Sequence, residues 1–259
     1  MPTCLPVLRL LCAGALALLP LAALACDDAD HMREAAYRQL PAGALPLRDR
    51  FVDPGSTACR AWPAQPGMTL LAVAAWTEPA SEDVRSGDLD LLLVDTASQR
   101  PLAWTRREGA LSSDAVRFTG MALDTARWQL APGTRAFGVR IDHSGSSGPN
   151  PFGQTELQLF VRDGRQLRQV LPALVVRGSG GEWDMRCAGE SSRFERTLEL
   201  GPAGADGLAS INVREQRVDT VSVARGEDCH STDTPAPAQR WTLRAHDGRY
   251  AVPEALRGL

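Results

Sequence analysis

Lysine is missing from this chain, and all 28 of its basic residues are arginine. This is read as a trace of genomic base composition, and it leaves no Gly-Lys-Ser phosphate loop to find. Other chemical signatures are missing too. There is no Gly-x-Ser-x-Gly elbow, no His-Glu-x-x-His helix and no dinucleotide glycine fingerprint, so the local motifs of serine hydrolases, zinc peptidases and nucleotide-binding folds are excluded. A triad assembled from distant residues leaves no such local trace. No Cys-x-x-Cys pair or closely spaced histidine pair occurs, which speaks against a metal site. No strong excess of either charge exists: 28 basic against 31 acidic residues give −3, no electrostatic footprint for nucleic acid or an anionic membrane. Finally, strands do not alternate with long helices, and no fixed-period repeat points to a propeller.

The start of the chain has a recognisable plan. Arg9, an apolar run from Leu10 to Leu24 and the small-x-small site Ala23-Leu24-Ala25 form the parts of a secretory signal peptide, 1–25. The run is interrupted by Pro20 and is shorter than the about 20 apolar residues a spanning helix needs. Cleavage after Ala25 leaves 27 basic and 31 acidic residues and a mature chain, 26–259, read as one disulfide-stabilised β-rich domain. Acylation at Cys26 is the minor alternative, disfavoured because Ala23 stands where lipoprotein sites carry Leu. Cysteine parity agrees. Cys26, Cys59, Cys187 and Cys229 remain and can close two bridges in an oxidising compartment. Three connectivities are possible. The sequential one, Cys26 with Cys59 and Cys187 with Cys229, is favoured, each bridge contributing roughly 4 kcal/mol in the chain-entropy model.

After Cys26, the acidic residues Asp27, Asp28 and Asp30 precede a short helix expected to start near Asp28 or Asp30. With His31 they form the one Asp/His cluster that suggests a metal, but capping explains the same residues. The segment from Leu40 to Gly67, rich in Pro, Gly and Ala, is read as irregular and pinned by Cys59. Strands are expected at Met68 to Thr77, Leu89 to Thr96, Leu102 to Arg107, Val116 to Leu123, Arg127 to Leu130 and Arg135 to Asp142. Leu89, Leu91 and Leu93 share one face, yet Leu92 and Val94 make the other face apolar as well, the pattern of a strand covered on both sides. Leu157, Leu159 and Val161 alternate with Glu156, Gln158, Phe160 and Arg162 up to the turn Asp163-Gly164. The run 173–176, a Gly-rich turn at 178–181, strands at Phe194 to Leu200, Leu208 to Val213, Val218 to Ala224 and Arg240 to Ala245, a Pro-rich loop from Ser231 to Pro237 and a terminal hairpin over Asp247-Gly248 complete the pass. The class is all-β, an antiparallel β-sandwich or barrel-like sheets with a short N-terminal helix.

The stretch His143 to Gln154 is the least generic loop, longer than a tight hairpin requires and stiffened by Pro149 and Pro151. A stiff loop of this kind presents a preformed surface at low ordering cost, with Asn150 hydrogen-bonding and Phe152 as an anchor. The bland reading has Phe152 closing the core edge and Asn150 taking a turn. His143, next to Ser144, Ser146 and Ser147, is the best candidate base for a hydrolase, although a histidine in a polar loop is ordinarily only solvated. Trp183 with Glu182 and Asp184 fits the lining of a sugar or peptide site. Equally, Trp183 packs on the Cys187 bridge, and two acids at i and i+2 meet only the short end of the separation glycosidases use. The candidate ligand- or partner-binding set is therefore His143, Ser146, Ser147, Asn150, Phe152, Trp183 and Asp184, with no catalytic residue, metal or cofactor assigned.

The segments RAFGVRI, SSGPNPFGQTEL, LRQVL, LVV and GGEWDMRCAGE, spanning roughly Cys59 to Leu200, resemble a family of secreted proteins of Gram-negative bacteria. That resemblance implies export and no particular activity. The expectation is a periplasmic or secreted binding module for a protein or glycan of the envelope, without nucleic acid and without a membrane span. Alternatives are an envelope hydrolase using His143 with a serine or an aspartate, or a structural envelope component.

Overall fold

The computed structural model describes residues 26–47 and 49–258; the signal-peptide reading of 1–25 lies outside the described residues. Helix α1, Ala29–Arg38, begins where the side chain of Asp28 accepts the backbone N–H of His31 at 2.8 Å. Asp30 is engaged by Arg33 at 2.8 Å and by the Thr57 hydroxyl at 2.9 Å. The acidic cluster thus caps and pins the helix, and among the described residues no His, Cys, Asp and Glu group is placed to hold a metal ion.

The strands follow in chain order: β1 Thr57–Ala61, β2 Met68–Trp76, β3 Arg85–Asp95, β4 Pro101–Ser113, β5 Val116–Asp124, β6 Gln129–Ala131, β7 Thr134–Gly145, β8 Phe152–Asp163, β9 Gln166–Trp183, β10 Gly189–Ala203, β11 Ala209–Arg225, β12 Asp228–Pro235, β13 Gln239–Leu243, β14 Ala245–His246 and β15 Arg249–Tyr250. The first thirteen form one sheet; β14 and β15 pair separately. An antiparallel run β1-β2-β3-β4 meets the first part of β9 through a single parallel pair, Trp104 with Gln166, and continues through β8, β7 and β5. Arg60 of β1 reaches the Leu123 carbonyl of β5 at 3.4 Å, so the sheet is nearly closed into a barrel. Its interior holds Trp62, Leu70, Leu91, Phe137, Val139, Ile141 and Phe160.

A second layer grows from the same strands. β9 is 18 residues long. Its first half belongs to the barrel wall, and beyond it β10 and β11 carry the sheet on, with β12 and β13 along the outer side of β11. Between these strands and the outer face of β8 and β9 lies a core of Leu157, Leu159, Leu171, Leu174, Ile211, Val213 and Tyr250. On the far side of the barrel α1 places Met32 and Ala36 over Leu71, Val73, Leu92 and Val94. That cover is why Leu92 and Val94 break the alternation of β3: both faces are buried. The pattern also leaves Asp88 and Asp90 under the helix, 3% and 0% exposed. Arg106 grips Asp90 with two bonds of 2.6 Å, Tyr37 donates to the same carboxylate at 2.6 Å, and Arg50 donates to Asp88 at 2.9 Å. The Asp90 carboxylate pushes the Arg106 guanidinium pKa up, and burial ahead of Asp90 raises that of Tyr37 well above its usual value.

Both disulfides have the sequential pairing, Cys26–Cys59 and Cys187–Cys229. Several expected loops prove to be strand. β1 forms inside the segment read as irregular, and β12 occupies the expected Pro-rich loop. The two strands expected at Leu208 to Val213 and Val218 to Ala224 are one, β11, because Arg214 to Arg217 keep their partners on β10. The Gly178–Gly181 turn is strand within β9. A Cβ on Gly178 would lie 2.5 Å from the Phe194 ring, and one on Gly181 would lie 2.5 Å from the Glu190 carbonyl. These glycines are there for close approach of β10, not for a bend.

Candidate functional site

The registers of four strands lay one row of polar residues across the outer face of the barrel wall. Asp142 pairs with Thr155, Thr155 with Arg177 and Arg177 with Glu195. Paired residues of neighbouring strands project to the same side, and here they bond laterally: the Thr155 hydroxyl donates to Asp142 at 2.6 Å, and Arg177 approaches Glu195 at 3.3 Å. In the next row Ala122 stands opposite Arg140, whose Nε donates to Asp124 at 2.9 Å. Asp124 also accepts from the N–H of Ala126 and the indole of Trp128. Although burial works against ionisation, these bonds together hold its carboxyl below the usual range.

These rows floor a cleft of about 870 Å³, walled on one side by the 124–128 turn and on the other by residues 195–200 of β10, a size in the range that small-molecule and peptide sites occupy. The cleft exists because β9 and β10 part company. Their ladder ends at Glu195 with Arg177; β9 continues along β8, while β10 crosses over the second core beside β11. Arg196 fills the splay. Its side chain is 5% exposed, sits 2.7 Å from the Glu215 carboxylate, and donates to the carbonyls of Val175 at 2.8 Å and Ala255 at 3.0 Å. Phe194 and Trp241 cover the guanidinium at 4.4 and 5.7 Å.

The candidates read from sequence lie elsewhere and fall into two groups. His143 lies within β7, paired with Gln154 and Phe118, so the loop shrinks to residues 146–151. On the pleat His143 follows Val139 and Ile141 toward the barrel end, opposite in direction to Asp142, and it packs edge-on to Phe118 with ring centroids 6.3 Å apart. Among the described residues no hydrogen bond joins it to a serine hydroxyl or a carboxylate. Ser146 donates to the Ala115 carbonyl at 3.3 Å, and Ser147 accepts the Asn150 N–H at 3.1 Å. Phe152 is half-buried and opens β8 opposite Gly180.

Trp183 does meet the loop. Its indole donates to the Gly148 carbonyl at 2.9 Å, its backbone N–H donates to Pro149 at 2.9 Å, and with Met185 it stays 42% and 56% exposed. Asp184 closes its own turn: Oδ1 accepts the backbone N–H groups of Arg186, Cys187 and Ala188 at 2.8–3.0 Å. These N–H groups, Arg186 first, hold its carboxyl below the usual range. The i, i+2 pairing with Glu182 is therefore not an acid pair facing one substrate. Sequence reasoning missed Thr155, Arg177, Arg196 and Glu215, since nothing local marks residues that meet only through register.

His143 carries a pH consequence. Burial lowers its pKa, and Asp142, the Ser112 backbone and Asp114 oppose that without overcoming it. Its folded pKa lies below the unfolded value of about 6.5, so the unfolded chain takes up the proton first as pH falls, and stability drops from about pH 6.5 downward. Denaturant unfolding of wild type and His143→Gln at pH 7.5 and 5.0 checks this: the substitution should flatten the loss over that window, and parallel losses in both chains would count against it.

The two disulfides belong to an oxidising, extracytoplasmic environment, and among the described residues no helix is long and apolar enough to cross a membrane. No family model, no curated protein and no solved structure matches the chain.

Proposed function

We propose that this is an exported protein of the periplasm or extracellular space that acts as a binding module, with the cleft between the barrel wall and β10 as its ligand site. The supporting observation is the construction of that cleft: a floor of laterally bonded polar residues from β7, β8 and β9, walls on two sides, and about 870 Å³ of room. A site preformed on strands spends little ordering entropy on capture. The export reading rests on the leader-like 1–25 segment and accords with the two bridges.

The test uses two defined probes, a phage-displayed random heptapeptide library and an array of bacterial envelope glycans, presented to the immobilised chain starting at Cys26. Retention on one of them is expected, with at least a tenfold loss in Ala122→Trp. Ala122 is an exposed floor residue, so the larger ring fills the cleft without entering the core. Retention lost instead in the Trp183→Ser, Met185→Ser double variant would move the site to the 146–151 loop, and no retention on either probe would overturn the binding reading.

A further inference from the structure

Residues 195–200 of β10 all line the cleft. Successive side chains of a strand point to opposite faces, so a cleft that touches each of these residues in turn runs along the strand's edge and meets its backbone. That edge is open. Among the described residues β10 keeps its full ladder to β11 on one side, from Gly189 to Ala203, whereas on the other side pairing stops at Glu195. Every second N–H and C=O from Thr197 to Leu200 therefore faces the cleft rather than a neighbouring strand.

We propose that the ligand is an extended segment of a partner polypeptide that adds to this edge as a strand, deepening the binding reading above on which it rests. The unpaired stretch from Arg196 to Leu200 is about 14 Å long at roughly 3.4 Å per residue, enough for four residues of an incoming strand. The bulge between Leu200 and Ala203 and Pro202 end the edge there. Inward side chains of the guest meet Ala122 and the polar row of Asp142, Thr155 and Arg177 on the floor, which calls for small or polar residues at alternate positions. Outward ones pass Arg127 and Glu199, both exposed, and are polar.

A comparison with another edge in the same sheet sharpens the case. β12 is exposed at all eight residues, is polar, carries Asp228 and Asp233, ends in Pro235 and is bridged at Cys229. These are the devices by which proteins blunt an edge against unwanted pairing. The β10 edge has half-buried Leu198 and Leu200 and faces the cleft, with the 124–128 turn on its other side. Its hydrogen-bonding groups stay available, which is what strand addition requires.

The experiment takes a heptapeptide selected from the random library on the wild-type chain. Binding is expected to slow amide hydrogen exchange at least tenfold at alternate positions between Thr197 and Leu200. Methylating alternate backbone nitrogens of the peptide should cost at least tenfold in Kd in one register and less than threefold in the other. A peptide that competes with cleft filling by Ala122→Trp yet gives no alternation and no protection of β10 would overturn strand addition and leave the binding module standing. A glycan as the sole retained probe would overturn it as well. If sedimentation shows a dimer whose β10 amides are protected without peptide, the occupant is a second copy and the peptide proposal is wrong.

Discussion

Replacing Arg196 by alanine is expected to lower the unfolding free energy by about 3–5 kcal/mol, a large part of the about 5–15 kcal/mol that holds a domain together. The guanidinium is 5% exposed and its partner Glu215 carboxylate 9%. Removing the cation leaves an anion in a site from which water has been displaced, and it also strips the donors from the Val175 and Ala255 carbonyls. The packing of the stem and head between Phe194 and Trp241 goes with it. Urea unfolding with both disulfides kept oxidised measures the loss. An Arg196→Met, Glu215→Leu double variant should recover part of it, because the buried charge is gone, but not all, because the two carbonyls remain without donors. Loss of less than about 1 kcal/mol in Arg196→Ala would show that the splay between β9 and β10 does not depend on this pair. The consequence reaches function: the same residue that closes the second core holds β10 away from β9, and so keeps the cleft open.

Asp90→Ala should be comparably damaging, at about 3–5 kcal/mol. Asp90 is 0% exposed, and its two oxygens take both Arg106 bonds and the Tyr37 hydroxyl, all at 2.6 Å. Without it, Arg106 faces only Asp88 at 3.6 Å and the Pro46 carbonyl at 2.8 Å, and the helix loses one of its polar ties to the barrel, keeping that of Asp30 and Arg33 to Thr57. At roughly 2–4 °C per kcal/mol for a chain of this size, the thermal midpoint should fall by about 6–20 °C. Tyr37→Phe removes one hydrogen bond and should cost only about 1 kcal/mol. Circular dichroism melts of the two variants separate these cases, and equal midpoints for Asp90→Ala and Tyr37→Phe would place the stability elsewhere than in the ion pair.

The contrast between these two buried pairs shows what was legible and what was not. Asp88 and Asp90 announce themselves, because each alternates with leucine inside β3, and Leu92 and Val94 disclose the covering layer. Arg196 and Glu215 look like any other charged residues of strands β10 and β11. Their burial follows from where β10 crosses the C-terminal segment, a fact about positions distant in sequence. The same holds for the candidate site. The 146–151 loop and Trp183 could be singled out by local composition, and the structure brings those two together through Gly148 and Pro149. The cleft could not be foreseen, since its floor is a row of residues at 142, 155, 177 and 195 joined only by register.

By itself the sequence determined the all-β class, a helix start at Asp28 or Asp30, most strand centres and the Asp163-Gly164 hairpin, and it favoured, among three possible connectivities, the disulfide pairing that the structure has. Each rests on local physics: the period of two, a capping carboxylate, a glycine at φ +59° in the turn, and cysteine parity with short loops. Tertiary structure alone decided that Gly178–Gly181 is strand, that His143 faces the barrel end, and that β10 leaves β9 after Glu195. Those outcomes depend on which strands become neighbours and in what register, and backbone hydrogen bonding is indifferent to side-chain identity. It takes packing of the two cores, and the close approach of Phe194 over a residue without a Cβ, to choose among the registers.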